Sequence, residues 1–97
     1  MKEFILLMHG DAPHPEAAGA WDQYIASLKH HGLFEGGSSM GGGACYRTVE
    51  PAPDISRHLV GFIKIQARNI DHAREALAGN PVFESGGTIE IRELIAD

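Results

Sequence analysis

The chain contains little of what several classes of functional site require. Only one of its 97 residues is a cysteine, Cys45, which excludes an internal disulfide and a CxxC metal site. Eight Lys and Arg residues stand against thirteen Asp and Glu, giving a formal net charge of -5. That balance argues against binding to nucleic acid or to an anionic membrane, because both present negative phosphates.

Long hydrophobic runs are absent as well. No apolar run approaches the roughly 18 residues of a membrane span. The apolar run near the N-terminus has five residues, whereas the core of a signal peptide needs roughly 7–15. We therefore expect a cytoplasmic protein without a membrane partner. A chain of this length forms one domain, residues 1–97, that a partner subunit would help to stabilise.

The five apolar residues lie at Phe4–Met8 and are followed by His9, Gly10 and Asp11. A short apolar run closed by Gly and Asp predicts a strand that is covered on both faces. Polar residues at the end of such a strand lie where a chain leaving a sheet often forms a site.

Two helices are indicated by apolar residues at helical spacing. The first is predicted from Pro15 to about His31 and ends at Gly32, a typical left-handed terminator. Its apolar stripe consists of Ala17, Trp21, Tyr24, Ile25 and Leu28. The second is predicted from Ile70 or Asp71 to Ala78.

Four further strands are predicted, at Phe34–Ser39, Ala44–Val49, His58–Ala67 and Thr88–Ile95. The glycine-rich segment Gly36–Gly43 is interpreted as the turn of a hairpin. The resulting order predicts an α+β fold of the ferredoxin-like, split βαβ type. Its antiparallel sheet has two helices on one face, and the first strand lies between the His58–Ala67 strand and the last strand. The second sheet face has no sequence left to cover it, which favours a homodimer formed sheet against sheet.

Alternation assigns side chains to the two faces of this sheet. The predicted helix-facing residues are Leu59, Gly61, Ile63, Ile65, Ala67, Ile89 and Ile91. The opposite face receives His58, Val60, Phe62, Lys64, Gln66, Glu90 and Arg92. For the first strand, either Phe4, Leu6 and Met8 or Ile5, Leu7 and His9 face the helices. A mixed apolar and charged face is typical of a subunit interface or of a small-molecule pocket.

Several segments resemble, in order and spacing, the YCII-related proteins and especially their DGPF-type branch. The matching pieces are Met1–Ala12, Trp21-x-x-Tyr24-x-x-x-Leu28-x-x-x-Gly32, Tyr46–Val49, Gly61–Ile65 and Gly87–Arg92. The resemblance implies a ferredoxin-like, dimeric α+β barrel, and it implies little about chemistry. Residues 51–57 do not contain the Asp-Gly-Pro-Phe segment of that branch. The His–Asp pair of the other branch is also missing, because its helix position falls near Trp21 and Asp22 and residues 34–45 contain no Asp.

Candidate catalytic residues are His9 and His58, since an imidazole with a pKa near 6.5 transfers protons well at neutral pH. The alternative is that both are simply histidines at strand ends. Asp11, Trp21, Tyr24, Lys64 and Arg92 are the candidate ligand-binding residues. Alternatively, Trp21 and Tyr24 belong to the core, and Lys64 and Arg92 belong to a charge network with Glu90 at the dimer interface.

The spacing His9-x-Asp11-x-x-His14 offers potential metal ligands, but it matches no specific site and two prolines interrupt it. We therefore predict no metal and no cofactor. The sequence favours a homodimer that binds an unidentified small organic molecule at the sheet and dimer interface, with cofactor-free acid/base catalysis as one use of the site. The alternatives are a non-catalytic accessory or regulatory dimerisation module and, by analogy of fold alone, a cofactor-independent oxygenase.

Overall fold

A computed structural model describes residues 1–97 as a four-stranded antiparallel sheet with three helices packed on one face. The elements in chain order are β1 (Lys2–His9), α1 (Ala20–His30), β2 (Phe34–Ser39), β3 (Leu59–Ala67), α2 (Ile70–Glu75), α3 (Pro81–Glu84) and β4 (Ile89–Leu94). The strand order is β2-β3-β1-β4. The predicted α+β class and the central position of the first strand are therefore confirmed.

The structure settles which face of β1 meets the helices. Phe4, Leu6 and Met8 are at most 4% exposed, whereas Ile5 and Leu7 are half-buried on the other face. A central strand places alternate side chains on opposite faces, so one apolar run serves both. We call the face that carries Ile5 and Leu7 the open face, because no helix of the chain covers it.

The predicted facing of β3 and β4 is also confirmed. The alternate β3 residues Gly61, Ile63, Ile65 and Ala67 are buried under the helices, and Ile89 and Ile91 pack against the same core. Each helix contributes buried side chains to this layer: Tyr24 and Leu28 from α1, Ala73 from α2 and Val82 from α3. The core therefore lies entirely between the sheet and the helices.

The first helix begins at Ala20 rather than at the predicted Pro15. Gly19 precedes it with φ 74°, a left-handed conformation that breaks the helix there. The preceding loop is held elsewhere, since Ser85 Oγ donates to the carbonyl of Pro15 over 3.3 Å. These contacts with the end of α3 hold residues 13–15 out of the helix.

The short helix α3 was not predicted. Asn80 caps it, with Oδ1 accepting from the backbone N–H groups of Val82 and Phe83 at 3.0 and 3.1 Å. Pro81 occupies its first turn, where a missing N–H costs nothing. The dipeptide Asn80-Pro81 is thus a helix-start signal, and the preceding helix already ends at Glu75, short of the predicted Ala78.

The predicted strand Ala44–Val49 is wrong, because residues 40–58 contain no strand. Pro51 and Pro53 lie across the loop from this segment and have no N–H to donate to a ladder. The Arg47 side chain instead donates to the carbonyls of Val49 and Pro51. No helix of the structure has the length and apolar character that spanning a bilayer demands.

Candidate functional site

The end of β1 places His9 beside the last strand on the open face. The β1–β4 register pairs Leu7 with Glu90, and the backbone N–H of His9 donates to the Thr88 carbonyl over 2.9 Å. Nε2 of His9 then lies 3.1 Å from Oε1 of Glu90. The other oxygen, Oε2, accepts from Nε of Arg92 over 2.8 Å. His9, Glu90 and Arg92 therefore form one continuous polar chain, which we call the His9 network.

His58, the residue that precedes β3, lies against this network. Its ring meets the ring of His9 edge-on, with centroids 4.9 Å apart and planes inclined by 69°. The β1–β3 pairing is interrupted between Met8 and His9, and such a bulge redirects the side chains that follow it. The N–H of Gly10 donates to the His58 carbonyl over 2.7 Å, so the backbones are also joined at this point.

Gly10 leaves room for the side chain of Val60 next to this contact. A Cβ atom at that position would lie 2.8 Å from Cγ1 of Val60, closer than side-chain atoms pack, and 3.8 Å from the His58 carbonyl oxygen, an ordinary distance. A larger residue at position 10 would therefore displace the Val60 side chain beside the two histidines.

The electrostatics of the network are set by Glu90. The hydrogen bond from Arg92, followed by that of His9, lowers the pKa of Glu90 below its usual 4.5. The carboxylate is therefore ionised at neutral pH and accepts hydrogen bonds from both neighbours. When His9 donates through Nε2, its Nδ1 atom carries the lone pair and is the basic atom that faces away from Glu90. Such an arrangement orients an imidazole for proton transfer.

Asp11 lies beside the network and joins β1 to the residue that precedes β4. Its Oδ1 accepts from the Thr88 N–H over 2.8 Å, and its Oδ2 accepts from the Thr88 hydroxyl over 2.6 Å. These two bonds, the hydroxyl first, lower the pKa of Asp11. Both carboxylate oxygens are thus engaged in fastening the strand ends, and a role of Asp11 in ligand binding stays a prediction.

The predicted basic residues also lie on the open face. Ile5 pairs with Lys64 on one side and with Arg92 on the other, so the two cations flank a central apolar side chain. Arg92 is engaged with Glu90, whereas Lys64 forms no ion pair. Lys64 is therefore the unpaired cation of this face.

Trp21 lies on the helix side of the sheet, where it lines a groove of about 380 Å³ between α1 and the β2–β3 edge. We call this cavity the Trp21 groove. Its apolar lining residues are Met8, Trp21, Ile25, Phe34, Ile63 and Val82, together with Val60 and Phe62, two β3 residues that alternation places on the open face. The indole N–H of Trp21 donates to Oε1 of Glu16, a further lining residue, over 3.0 Å.

Two glycines keep the floor of the Trp21 groove free of side chains. A Cβ on Gly37 would lie 2.5 Å from the Phe62 carbonyl oxygen, which excludes any larger residue. A Cβ on Gly61 would lie 3.0 Å from Cε of Met8. The groove therefore owes part of its depth to positions where the backbones approach closely.

Tyr24 lies in the core. It is 3% exposed, and its hydroxyl donates to the Ala76 carbonyl over 2.7 Å, which ties α1 to the end of α2. Burial raises the pKa of this hydroxyl. A second cavity, of about 270 Å³, lies beside it and is also lined by His31 and His72.

The predicted site residues therefore fall into two groups. His9, His58, Lys64 and Arg92 lie on the open face, with Asp11 bound to Thr88 beside them, while Trp21 and Tyr24 lie on the helix side. Neither of the two cavities described contains His9 or His58. The structure brings together no three His, Cys, Asp or Glu side chains that could hold a metal ion, and this includes the His9, Asp11 and His14 set.

Sequence reasoning missed two functional candidates, Glu90 as the partner of His9 and Glu16 as the polar group of the groove. Alternation had placed Glu90 on the correct face, but the pairing with His9 depends on the β1–β4 register. The link between Glu16 and Trp21 depends on a loop that precedes α1. Neither could be obtained from spacing.

No protein-family model matches this chain, and no curated protein matches it either.

Proposed function

We propose that this chain is a ferredoxin-like homodimer of the YCII-related type that binds a small organic molecule. The observation that carries the binding proposal is the Trp21 groove. Its volume of about 380 Å³ falls within the roughly 300–1,000 Å³ that is usual for ligand pockets. The cytoplasmic location stays a prediction from the sequence.

The lining of the groove indicates the chemical class of the ligand. Trp21 and Phe34 provide aromatic surface, which favours a planar, apolar body. Glu16 uses Oε1 for the indole N–H, and its Oε2 has no partner. That oxygen suits an N–H or O–H donor on the ligand, as in a substituted aniline or phenol.

Binding is tested with a fragment set of anilines and phenols, measured by thermal shift and by the NMR signal of the Trp21 indole N–H. A ligand that binds only the folded state raises the melting temperature. Glu16→Ala weakens the hits about tenfold, the usual size of a lost charged hydrogen bond. Asp22→Ala, an exposed carboxylate on α1 outside the groove, leaves them unchanged. Hits that shift open-face signals and not the indole would place the site elsewhere.

The open face supports the proposed homodimer. It presents Ile5, Leu7, Val60 and Phe62 as a half-exposed apolar strip, flanked by Lys64 and the His9 network. Such a strip is stabilised when a second copy covers it sheet against sheet, which is the arrangement of a dimeric α+β barrel. Sedimentation of the purified protein tests this proposal, and a Leu7→Glu variant should be monomeric. A wild-type protein that stays monomeric at high concentration would refute it.

A second candidate function is cofactor-free acid/base chemistry at His9. The observation in its favour is the 3.1 Å contact between His9 Nε2 and Glu90, with Arg92 behind it. A positioned base contributes about 10²–10⁴-fold to a rate. The test is a panel of carbonyl compounds with an abstractable α-proton, in which His9→Gln should lose at least about 100-fold in rate. His14→Gln is the control, since His14 lies outside the network.

The alternative is a non-catalytic accessory or regulatory dimerisation module. In that case the His9 network is a charge arrangement at the interface, and Lys64 and Glu90 contribute to register instead of chemistry. It predicts a dimer that binds no fragment in the Trp21 groove and turns over no compound of the panel. The fragment and rate measurements together therefore separate it from the leading proposal.

A further inference from the structure

The protein exposes more surface than a compact chain of its length. Its accessible surface is 6589 Å². A compact chain of this size exposes about 5,400 Å², so the excess is about 1,200 Å². Its radius of gyration is 14.8 Å, against about 12.5 Å for a compact domain. A standard interface buries about 800 Å² per partner, so the excess is enough for one such contact.

Part of this excess belongs to the segment between β2 and β3. The N–H of Met40 still bonds to the Val60 carbonyl, and the His58 carbonyl already accepts from Gly10. Residues 41–57, which we call the arm, lie between these two anchors and contain no helix or strand. The overall dimensions of 46 × 37 × 19 Å describe a flat, elongated molecule.

The arm has defined contacts, and they are internal. Cys45 Sγ lies 3.6 Å from the Asp54 carbonyl, and a Cβ on Gly43 would touch Ile55 at 3.4 Å. Arg47 donates to two carbonyls near the tip. No hydrogen bond connects residues 41–57 to the rest of the chain. The two legs of the arm thus hold each other, and the body of the domain holds only its base.

The outer part of the arm carries large apolar side chains that nothing in the chain covers. Tyr46 is 90% exposed and Val49 is 71% exposed. The arm is thus closed by its own contacts and exposes one aromatic and one aliphatic side chain. Such side chains are typical of the residues that anchor protein interfaces, among which Tyr is enriched. In an isolated chain these side chains have no apolar partner.

We propose that the arm is an intersubunit clasp whose Tyr46 and Val49 pack against the open face of a second copy. This inference rests on the proposed homodimer. The occupant is a second copy because one chain carries both an open apolar face and an arm with exposed Tyr46 and Val49, and its excess surface of about 1,200 Å² exceeds the roughly 800 Å² that a standard interface buries per partner. A two-fold axis then lets each arm cover the partner's sheet reciprocally.

The clasp also bears on the His9 network. The arm is followed directly by His58, whose ring lies against His9 and whose carbonyl accepts from Gly10. Docking of the arm fixes the residue that immediately precedes β3. In the dimer, the contact of His58 with His9 is thus fixed by the hydrogen bond from Gly10 and by the docked arm. In a monomer, only the hydrogen bond fixes it.

Sedimentation equilibrium over a wide concentration range tests the clasp with the full chain. The Tyr46→Ser/Val49→Ser double variant should raise the dimer dissociation constant about 10- to 100-fold, as expected for truncated interface anchors. Ile70→Ser/Phe83→Ser is the matched control, because these side chains are 50% and 46% exposed on the helix side. The control should leave the dissociation constant unchanged. Circular dichroism checks that both variants keep the fold.

Trypsin cleavage after Arg47 provides a second readout. In the wild type the cleavage rate should fall as protein concentration rises, and in the arm variant this fall should move to about 10- to 100-fold higher concentration. A wild-type dimer whose dissociation constant is the same in the arm variant overturns the clasp and leaves the homodimer standing. A wild type that is monomeric throughout overturns both, and a change of equal size in the control also overturns the clasp.

Discussion

Leu6 and Leu7 are neighbours on β1 with the same side chain and opposite surroundings. Leu6 is fully buried, pairing with Ile63 on one side and Ile91 on the other beneath the helices. Leu7 lies half-buried on the open face, between Phe62 and Glu90. Their replacement by alanine therefore separates the stability of the single chain from that of the proposed dimer.

Leu6→Ala removes buried methyl groups and leaves a cavity, so we expect the free energy of unfolding to fall by about 3–4 kcal/mol. At a urea dependence of about 1.5 kcal/mol/M, the midpoint should drop by about 2 M. The drop should be the same at every protein concentration, because the change lies inside one chain. Leu7→Ala should cost under about 1 kcal/mol at low concentration, where the open face is exposed in either variant. Its cost should grow as the concentration rises, since a dimer is stabilised by mass action.

Urea unfolding followed by circular dichroism at several protein concentrations measures both effects. The assignment of faces would be refuted if Leu7→Ala matched Leu6→Ala at low concentration. A cost below about 1 kcal/mol for Leu6→Ala would equally refute the packing described for the core. If the cost of Leu7→Ala did not depend on protein concentration, the sheet-to-sheet dimer would be contradicted, while the assignment of faces and the core packing would stand.

Two further predictions concern single side chains. Because Arg92 and His9 lower the pKa of Glu90, the folded carboxylate adds stability that is fully present above pH 4.5 and is lost as pH falls through its lowered value. The free energy of unfolding of Glu90→Gln should therefore fall less steeply than that of the wild type below about pH 4.5. Glu93→Gln is the control, because the Glu93 carboxylate makes only a 3.7 Å contact with Lys2. If the free energy of unfolding fell equally steeply with pH in Glu90→Gln and in the wild type, the prediction would be contradicted. Asn80→Ala should cost about 1–3 kcal/mol in urea unfolding, because a fully buried side chain there caps two N–H groups. Asn69→Ala is the control, since it removes one exposed cap bond and should cost about 1 kcal/mol of unfolding free energy. If Asn80→Ala cost no more than Asn69→Ala, burial of the cap would add nothing to its contribution to stability.

The elements predicted correctly are those whose periodicity arises from burial. Phe4–Met8, the alternating residues of β3 and the stripe from Trp21 to Leu28 each report which side chains leave water. The order of these elements then restricts the sheet to few arrangements, and the predicted place of β1 between β3 and β4 is the one found. Because the hydrophobic effect buries apolar side chains at regular sequence spacing, this part of the fold can be predicted from the sequence.

The wrong predictions concern segments in which hydrophobic periodicity gives little information. Ala44–Val49 has strand-like composition, but a strand needs a partner with free donors, and Pro51 and Pro53 supply none. The start of α1 moved to Ala20 because Gly19 is left-handed and the loop before it is held by α3. Local propensity was overridden in both places by the hydrogen-bond partners that are available in three dimensions.

The candidate site shows the same division. Hydrophobic periodicity and element order predicted that β1 is central, that His9 ends it, and that Glu90 and Arg92 share a face. The contact of His9 with Glu90, the contact of His58 with His9, and the groove beside Trp21 on the other side of the sheet arise only in the folded chain. Periodicity selects a face of each element, whereas contact between polar side chains depends on register, and register is set jointly by every strand that pairs.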